Sequence, residues 1–266
     1  DVPNDLLLKK LYGEWLDPQF VLKYTRESRD ASVYAWVASE ISNVITLLGK
    51  KPCEVRFLDF GMGWGNWCLI AKGFGCEVYG TEFEPNRMEH AARLGIQPID
   101  WRDVVGSQRY DFINAEQVFE HLTDPVQVLL KLKDSLAEGG IIRINVPSGD
   151  GIKHRIHVGD WRASTDSDRS LNDIAPLQHV NCFCGKALDR LAEVVGLRAI
   201  PMETLDSQRS RTAVQRMERV IRSGYRTVRR AIKQRDISLM TLPRSTRRGL
   251  ICMQKDRVPS PLPPVN

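Results

Sequence analysis

Apolar positions recur at helical intervals near the start of the chain, and helical and extended patterns alternate after residue 50. Steps of three and four residues between Val33 and Leu48 predict a helix, which Gly49 ends. Short apolar runs predict strands at 55–60, 77–82, 97–100, 112–116 and 141–146. Helical spacing predicts helices at about 66–73, 85–94 and 125–137. This alternation predicts an α/β fold, a parallel sheet with helices on both faces.

The third of these helices has a marked start and a marked end. Asp124 can serve as its N-cap, Pro125 suits the first helical position, and Gln127 lies three residues beyond the cap. Two consecutive glycines, Gly139 and Gly140, predict its end.

The alternating pattern breaks after residue 146. Residues 147–178 are polar, contain proline and several glycines, and predict a long irregular segment near the strand ends. Further elements follow: a helix at about 185–195, a strand at 197–203, a basic helix at about 209–234 and a strand at 249–254. We therefore divide the chain into an N-terminal helical segment, one α/β domain and a proline-rich tail or linker, at 1–50, 51–258 and 259–266.

Composition adds one regional feature to this picture. The chain is 42% hydrophobic and 27% charged, which is ordinary for a globular protein, and its net charge is +5. Residues 207–235 hold ten Arg or Lys and one acid, which leaves 28 basic and 32 acidic residues elsewhere. The basic character therefore belongs to one insert.

Compartment and metal content are predicted from what the chain lacks. It has no apolar run approaching the ~20 residues that span a bilayer, and no signal peptide at its start. Its six cysteines are scattered, so we expect reduced thiols in a cytoplasmic protein. Cys182 and Cys184 lie near His179, but no second pair completes a metal-binding pattern, so no metal is expected.

The most informative stretch is the glycine loop that follows the first predicted strand. Asp59 ends an apolar run, and Gly61, Gly63 and Gly65 follow at alternate positions before a helix that can start at Asn66. Glycine permits a tight turn and a close backbone approach to a ligand, and the helix start presents unpaired N–H groups. This pattern predicts a nucleotide-type cofactor site, with NAD, FAD and S-adenosylmethionine (SAM) as alternatives.

Acids at the ends of the next strands favour SAM. The glycine spacing is not GxGxxG, and Glu82 ends the second strand, where a carboxylate can accept both ribose hydroxyls. Asp100 and Trp101 end the third strand, where an acid can accept from an adenine amino group. The full set of predicted cofactor contacts is Asp59, Gly61, Met62, Gly63, Gly65, Glu82, Phe83, Asp100, Trp101 and Glu116.

Together the motifs resemble the class I SAM-dependent methyltransferases, in the branch with the ubiquinone-biosynthesis and the sugar and natural-product O-methyltransferases. The resemblance rests on the segments Asp59–Gly65, Val78–Glu82, Tyr110–Ile113, Val118–Pro125, Leu136–Ile142 and His179–Phe183. It implies a Rossmann-like seven-stranded sheet in the order 3-2-1-4-5-7-6, with the last strand antiparallel. The chain departs from the family in the basic insert between the sixth and seventh strands.

His121 is the first candidate for a catalytic base. It follows the fourth strand, at the rim of the expected crevice, with Glu116 and Glu120 close in sequence. A hydroxyl acceptor must lose its proton, and histidine is the commonest group to take it. The alternative is that His121 only packs or caps the loop before Asp124. His154 and His157 are further candidates, because a lid over the acceptor is expected in their segment.

The fourth strand ends in Asn114-Ala-Glu-Gln117, without the Pro-Pro-Tyr that follows Asn or Asp in amino-directed methyltransferases. We therefore expect methyl transfer to a hydroxyl of a small molecule or glycan, with phosphate-bearing acceptors suited to the basic insert. An NAD-linked oxidoreductase and a non-catalytic methyltransferase-like module are the alternatives. Two alternatives for the insert also stay open: a helix packed by its apolar stripe with its arginines in solvent, and a surface for a membrane or a partner. Nucleic acid is disfavoured because the insert holds only one aromatic, Tyr225.

Overall fold

Seven strands form one sheet in this computed structural model. It describes residues 7, 10, 31–106, 109–163, 167, 169–174, 178–200 and 250–255. The strands are β1 (Arg56–Phe60), β2 (Glu77–Thr81), β3 (Gln97–Pro98), β4 (Tyr110–Glu116), β5 (Leu136–Asn145), β6 (Arg198–Ala199) and β7 (Leu250–Gln254). Their order is β3-β2-β1-β4-β5-β7-β6, and β7 runs antiparallel to both of its neighbours. The predicted fold class and strand order are confirmed.

Helices alternate with these strands along the chain. They are α1 (Ala31–Leu48), α2 (Asn66–Phe74), α3 (Pro85–Arg93), α4 (Pro125–Asp134), α5 (Ile152–Val158) and α6 (Gly185–Val194). The predicted start of α4 is confirmed, because the Asp124 side chain accepts a hydrogen bond from the backbone N–H of Gln127 at 3.0 Å.

Two apolar layers cover the two faces of the sheet. One layer joins α4 and α6 to the sheet through residues such as Leu129, Leu188 and Ile113. The other joins α1 and α2 to the opposite face through residues such as Ile41, Cys68 and Phe112. Burial on both faces explains why the central strands read as continuous apolar runs in the sequence.

Helix α1 reaches the sheet through a charged contact as well as apolar ones. Its buried Glu40 lies 3.5 Å from the guanidinium of Arg143 on β5. Although no run of spanning length was expected, this 18-residue helix is by length and composition alone long and apolar enough to cross a membrane, a test that the core helix of a globular domain also passes. Its buried face, packed on the sheet, assigns α1 to the core.

Two local predictions were wrong. The glycine pair does not end α4, which stops at Asp134; Gly139, with φ of +70°, lies inside β5. There the β4–β5 register shifts between Tyr110 and Phe112, so the positive φ of Gly139 belongs to an irregularity in the strand pairing. The segment 147–178, predicted to be irregular, contains α5 and a short 3-10 helix at Asn172–Ile174.

Several predicted segments lie outside the described residues. These are the basic insert at 207–235, the proline-rich tail at 259–266 and the part of 1–50 that precedes α1, apart from the helical residues Leu7 and Lys10.

Candidate functional site

The glycine loop joins the carboxyl end of β1 to α2, and each of its three glycines has a positive φ. A Cβ on Gly61 would lie 2.5 Å from Val118, and one on Gly65 would lie 2.6 Å from Ile96. A Cβ on Gly63 would meet no described atom within 4 Å. Gly61 and Gly65 therefore permit packing, whereas Gly63 faces open space, where a ligand can approach the backbone.

Glu82 lies across this loop from the end of β2. Its carboxylate accepts hydrogen bonds from the backbone N–H groups of Gly63 and Phe83, both at 2.9 Å, and lies 3.4 Å from Arg87. These contacts fix the carboxylate beside the open position at Gly63. Phe83, the next residue, is 71% exposed.

The residues of this crevice fit the adenosyl part of SAM. A carboxylate offers about four lone-pair positions, and three are used by Gly63, Phe83 and Arg87, so Glu82 can still accept from one ribose hydroxyl. The exposed ring of Phe83 presents an apolar face that a flat heterocycle can cover. The open backbone at Gly63 leaves the space that a Cβ would otherwise fill.

Asp59 does not face this open space. It is 1% exposed, and its carboxyl accepts a hydrogen bond from the Asn114 side chain at 2.8 Å, which ties β1 to β4. Burial raises the pKa of Asp59 to about 7, and the Asn114 hydrogen bond opposes that rise. Its placement is that of a buried support beneath the loop.

Glu116 ends β4 in a fixed position. It accepts hydrogen bonds from Arg143 at 2.6 Å and from the Asn145 side chain at 2.7 Å, and 22% of its side chain is exposed. Gln117 follows with φ of +56°, a strained backbone for a residue other than glycine. Such strain persists where surrounding contacts enforce it, often at a functional site.

The other predicted cofactor contacts, Met62, Asp100 and Trp101, differ in how far they are buried. Met62 is buried, with its sulfur packed where a Cβ on Gly80 would be. Asp100 is half exposed and accepts a hydrogen bond from the backbone N–H of Arg102 at 2.8 Å. The Trp101 ring is partly buried, and the Lys131 ammonium lies 4.4 Å from its centroid.

His121 lies on a 3-10 turn, Phe119–His121, just beyond β4. Its Nδ1 is 2.7 Å from the Gln178 carbonyl oxygen, which can only accept, so Nδ1 carries the proton in the neutral ring. Burial lowers the pKa of His121; the Gln178 hydrogen bond opposes this, and the neighbouring His179 adds to it. The ring is therefore neutral near pH 7, with its lone pair on Nε2.

Two further residues surround His121. The rings of His121 and His179 are 4.9 Å apart, and Glu120 Oε1 lies 3.9 Å from His121 Nε2. Burial raises the pKa of Glu120 to about 8 and lowers that of His179. Val118 connects this turn to the glycine loop, since its side chain fills the space above Gly61.

His154 and His157 lie on α5 with exposed side chains, and neither belongs to the group of ligating side chains at His121. An ion pair between Arg155 and Asp173 holds α5 to the following segment. The catalytic roles of His154 and His157 stay predictions.

Sequence reasoning missed the residues that hold the site together. Arg143 and Asn145 act from β5, while Gln178 and His179 come from a segment 57 or more residues away from the turn they contact. The sequence did offer one signal, because His179 and Asn181 belong to a segment that resembles the family pattern. That pattern does not indicate which residues they contact.

Several known proteins resemble this chain. A family model described as a methyltransferase domain matches residues 33–201, more than half of the chain. Trans-aconitate 2-methyltransferase of Rhizobium etli is 27% identical over a match that covers 44% of this chain and 52% of that protein. Ubiquinone biosynthesis O-methyltransferase of Cereibacter sphaeroides is 26% identical, with 49% and 57% covered. The chain thus spans about half the length of these relatives.

Solved structures share the fold at low sequence identity. The plantazolicin methyltransferase BamL, in complex with a triazolic desmethylPZN analog and SAH, superposes with a TM-score of 0.60 at 13% identity, with 94% of each chain covered. The plantazolicin methyltransferase BpumL, with a pentazolic analog and SAH, gives 0.58 at 16% identity, with 94% of this chain and 95% of that chain covered.

Proposed function

Because the chain belongs to the class I SAM-dependent methyltransferases, we propose that it transfers the methyl group of SAM to an oxygen atom of a small molecule or a glycan. The cofactor is SAM. The observation that carries the proposal is the position of a neutral histidine, His121, on the turn that packs against the glycine loop through Val118.

SAM supplies an activated methyl group, so this chain has to bind SAM and the acceptor, orient them and remove the acceptor's proton. Glu82 and the open backbone at Gly63 hold the ribose side of the crevice, and Phe83 covers the base. Alignment of an acceptor with the methyl group can contribute ~7–11 kcal/mol to lowering the barrier.

His121 is the proposed proton acceptor. The Gln178 carbonyl fixes its tautomer and its ring plane, which leaves the basic nitrogen, Nε2, on the side of Glu120. An acceptor hydroxyl that donates to Nε2 would lose its proton as the oxygen attacks the methyl carbon. Such general-base assistance typically contributes about 10²–10⁴-fold to a rate.

Two features favour oxygen over nitrogen as the acceptor atom. The end of β4 and the residue after it read Asn114-Ala-Glu-Gln117, without the Pro-Pro-Tyr of amino-directed methyltransferases. Asn114 and Glu116 are instead bound to Asp59, Arg143 and Asn145. A related protein bears the name of an O-methyltransferase. We further propose that the basic residues at 207–235 favour an acceptor that carries phosphate or carboxylate groups.

The test is methyl transfer from isotopically labelled SAM to a panel of phenols, glycans, phosphorylated sugars and carboxylates, with amines as the contrasting class. We expect label on oxygen and a loss of about 10²–10⁴-fold in rate in His121→Gln, with unchanged SAH affinity by calorimetry. Label on amines alone would overturn the oxygen assignment. SAH binding without turnover across the panel would favour a non-catalytic module.

A further inference from the structure

Three metal-ligating side chains converge beside the crevice. Glu120, His121 and His179 each offer a ligand atom, and these atoms all lie within 4.8 Å of one another. We propose that this cluster binds a divalent first-row transition-metal ion. Two imidazoles and one carboxylate form a ligand set suited to Zn²⁺, Fe²⁺ or Co²⁺, and less suited to the hard ions Mg²⁺ and Ca²⁺.

Unsatisfied polar atoms point to a missing partner in this cluster. Within the part of the chain that the structure describes, neither carboxylate oxygen of Glu120 makes a hydrogen bond, and neither does Nδ1 of His179. Glu120 is only 2% exposed. More than about 90% of buried polar groups in proteins are paired, so a buried carboxyl group with two unpaired oxygens is an exception that calls for a partner. A bound cation would satisfy both residues.

His121 is oriented as a metal ligand commonly is. Its Nδ1–H donates to the Gln178 carbonyl oxygen, which directs Nε2 towards Glu120. A histidine that binds a metal usually donates its other ring N–H to a carbonyl or carboxylate in this way, which fixes the tautomer and strengthens the ligand nitrogen.

Hydrogen bonds outside the cluster hold its two segments together. The backbone N–H of Asn181 donates to the Glu120 carbonyl oxygen at 3.0 Å. The Asn181 side chain donates to the carbonyl oxygens of Phe119 and Leu122. These contacts join residues 178–181 to the 3-10 turn, so the three ligands remain together without a metal.

The cluster needs only a small contraction to bind an ion. Ligands of zinc lie roughly 2.0–2.2 Å from the metal, so two of them are roughly 3.3–3.6 Å apart in a tetrahedral site. His121 Nε2 and Glu120 Oε1, at 3.9 Å, have to approach each other by only a few tenths of an ångström. Because 22% of the His121 side chain is exposed, positions remain for water or a substrate oxygen on the ion.

Metal binding does not depend on the proposed acceptor, but its consequence rests on the proposed function. An ion at Nε2 would occupy the lone pair that His121 otherwise offers as a base. The ion would instead polarise a bound hydroxyl and promote release of its proton to water, without a change in oxidation state.

The test uses Co²⁺ as an optical probe on the full chain after chelator treatment. We expect visible absorption that saturates at one equivalent, reversal by Zn²⁺, and no thiolate-to-cobalt charge-transfer band. His179→Ala and Glu120→Gln should each bind Co²⁺ at least about a hundredfold more weakly, whereas His90→Ala, which removes an imidazole elsewhere, should bind normally.

SAH calorimetry on each variant separates loss of the metal site from loss of fold, and labelled methyl transfer is measured independently. Failure to bind Co²⁺ at one equivalent would overturn the metal site and leave the proposed methyl transfer intact. Undiminished binding in His179→Ala and Glu120→Gln, or bands from cysteine thiolates, would do the same. Metal binding without any methyl transfer would overturn the proposed function alone.

Discussion

Asp59 is a buried carboxyl whose pKa lies far above its ordinary value, and this makes stability depend on pH. Its pKa is about 7 in the fold against 3.8 when exposed, so the native state holds the proton more tightly. The stability that this proton provides is fully present below the unfolded pKa and is lost as the pH rises through the folded pKa.

Asp59→Asn should remove this dependence, because an amide does not titrate and its oxygen can still accept from Asn114. Between about pH 5 and about pH 8, we expect wild type to lose on the order of 2 kcal/mol relative to Asp59→Asn. Urea denaturation of both proteins at the two pH values measures this difference. Parallel pH profiles would show that Asp59 titrates normally.

Glu82 gives a prediction on cofactor affinity. Glu82→Gln keeps the shape but removes the charge, so a hydrogen bond to ribose becomes neutral and weaker by about 1 kcal/mol. Because both carboxylate oxygens accept from backbone N–H groups, the amide NH2 also loses one of these two contacts. We expect SAH to bind roughly 10–100-fold more weakly in calorimetry. Glu89→Gln makes the same change on the exposed face of α3, where Glu89 pairs with Arg93, and should leave affinity unchanged. Equal affinities in the two variants would remove Glu82 from the site.

At this scale the sequence predicts some residues well and others not at all. Acids at strand ends and alternate glycines are local patterns, so Glu82 and Gly63 could be predicted from the sequence. In the structure the backbone N–H of Gly63 donates to the Glu82 carboxylate at 2.9 Å. The contact between His121 and Gln178 could not be predicted, because it joins positions 57 residues apart. It uses a backbone carbonyl group, which every residue has.

At the scale of the element, the glycine loop requires glycine at position 63 for two separate reasons, the backbone conformation and the space for a ligand. Gly63 and Gly49 both have positive φ, and neither would place a Cβ within 4 Å of a described atom. Alanine at either position should therefore cost about 1 kcal/mol through backbone strain alone. Only Gly63 lies beside Glu82, so only there would a methyl group intrude on the crevice.

We expect Gly63→Ala and Gly49→Ala to lower the unfolding midpoint similarly, while Gly63→Ala alone weakens SAH binding by tenfold or more. Thermal unfolding and calorimetry measure the two effects. If Gly49→Ala also weakens SAH binding, the loss would reflect general destabilisation, and the close approach of a ligand to Gly63 would be unsupported.

The same scale explains which element boundaries the sequence could and could not predict. The start of α4 depends on Asp124 and Pro125, whose preferences act within one turn, and it was predicted correctly. Its end was misplaced because Gly139 was read as a helix stop. The positive φ of Gly139 instead belongs to β5, whose pairing with β4 is a long-range interaction.

For the whole molecule, Arg143 links the central sheet, α1 and the site. It is fully buried on β5 and contacts Asn114 and Glu116 on β4, as well as Glu40 on α1. Its guanidinium also lies 4.4 Å from the centroid of the Trp67 ring on α2. Four elements therefore meet at one buried cation, which a neutral side chain cannot replace.

Arg143→Met should destabilise the protein by about 3–5 kcal/mol, because it leaves carboxylates without their buried counter-charge. Arg190→Met removes an exposed arginine paired with Glu193 and should cost less than about 1 kcal/mol. The double variant Arg143→Met/Glu40→Gln distinguishes charge from packing. If unpaired charge dominates, the second change recovers part of the loss in urea denaturation. If the two losses add instead, the contacts of Arg143 with Trp36 on α1 and Trp67 on α2, and not the ion pair with Glu40, account for the loss.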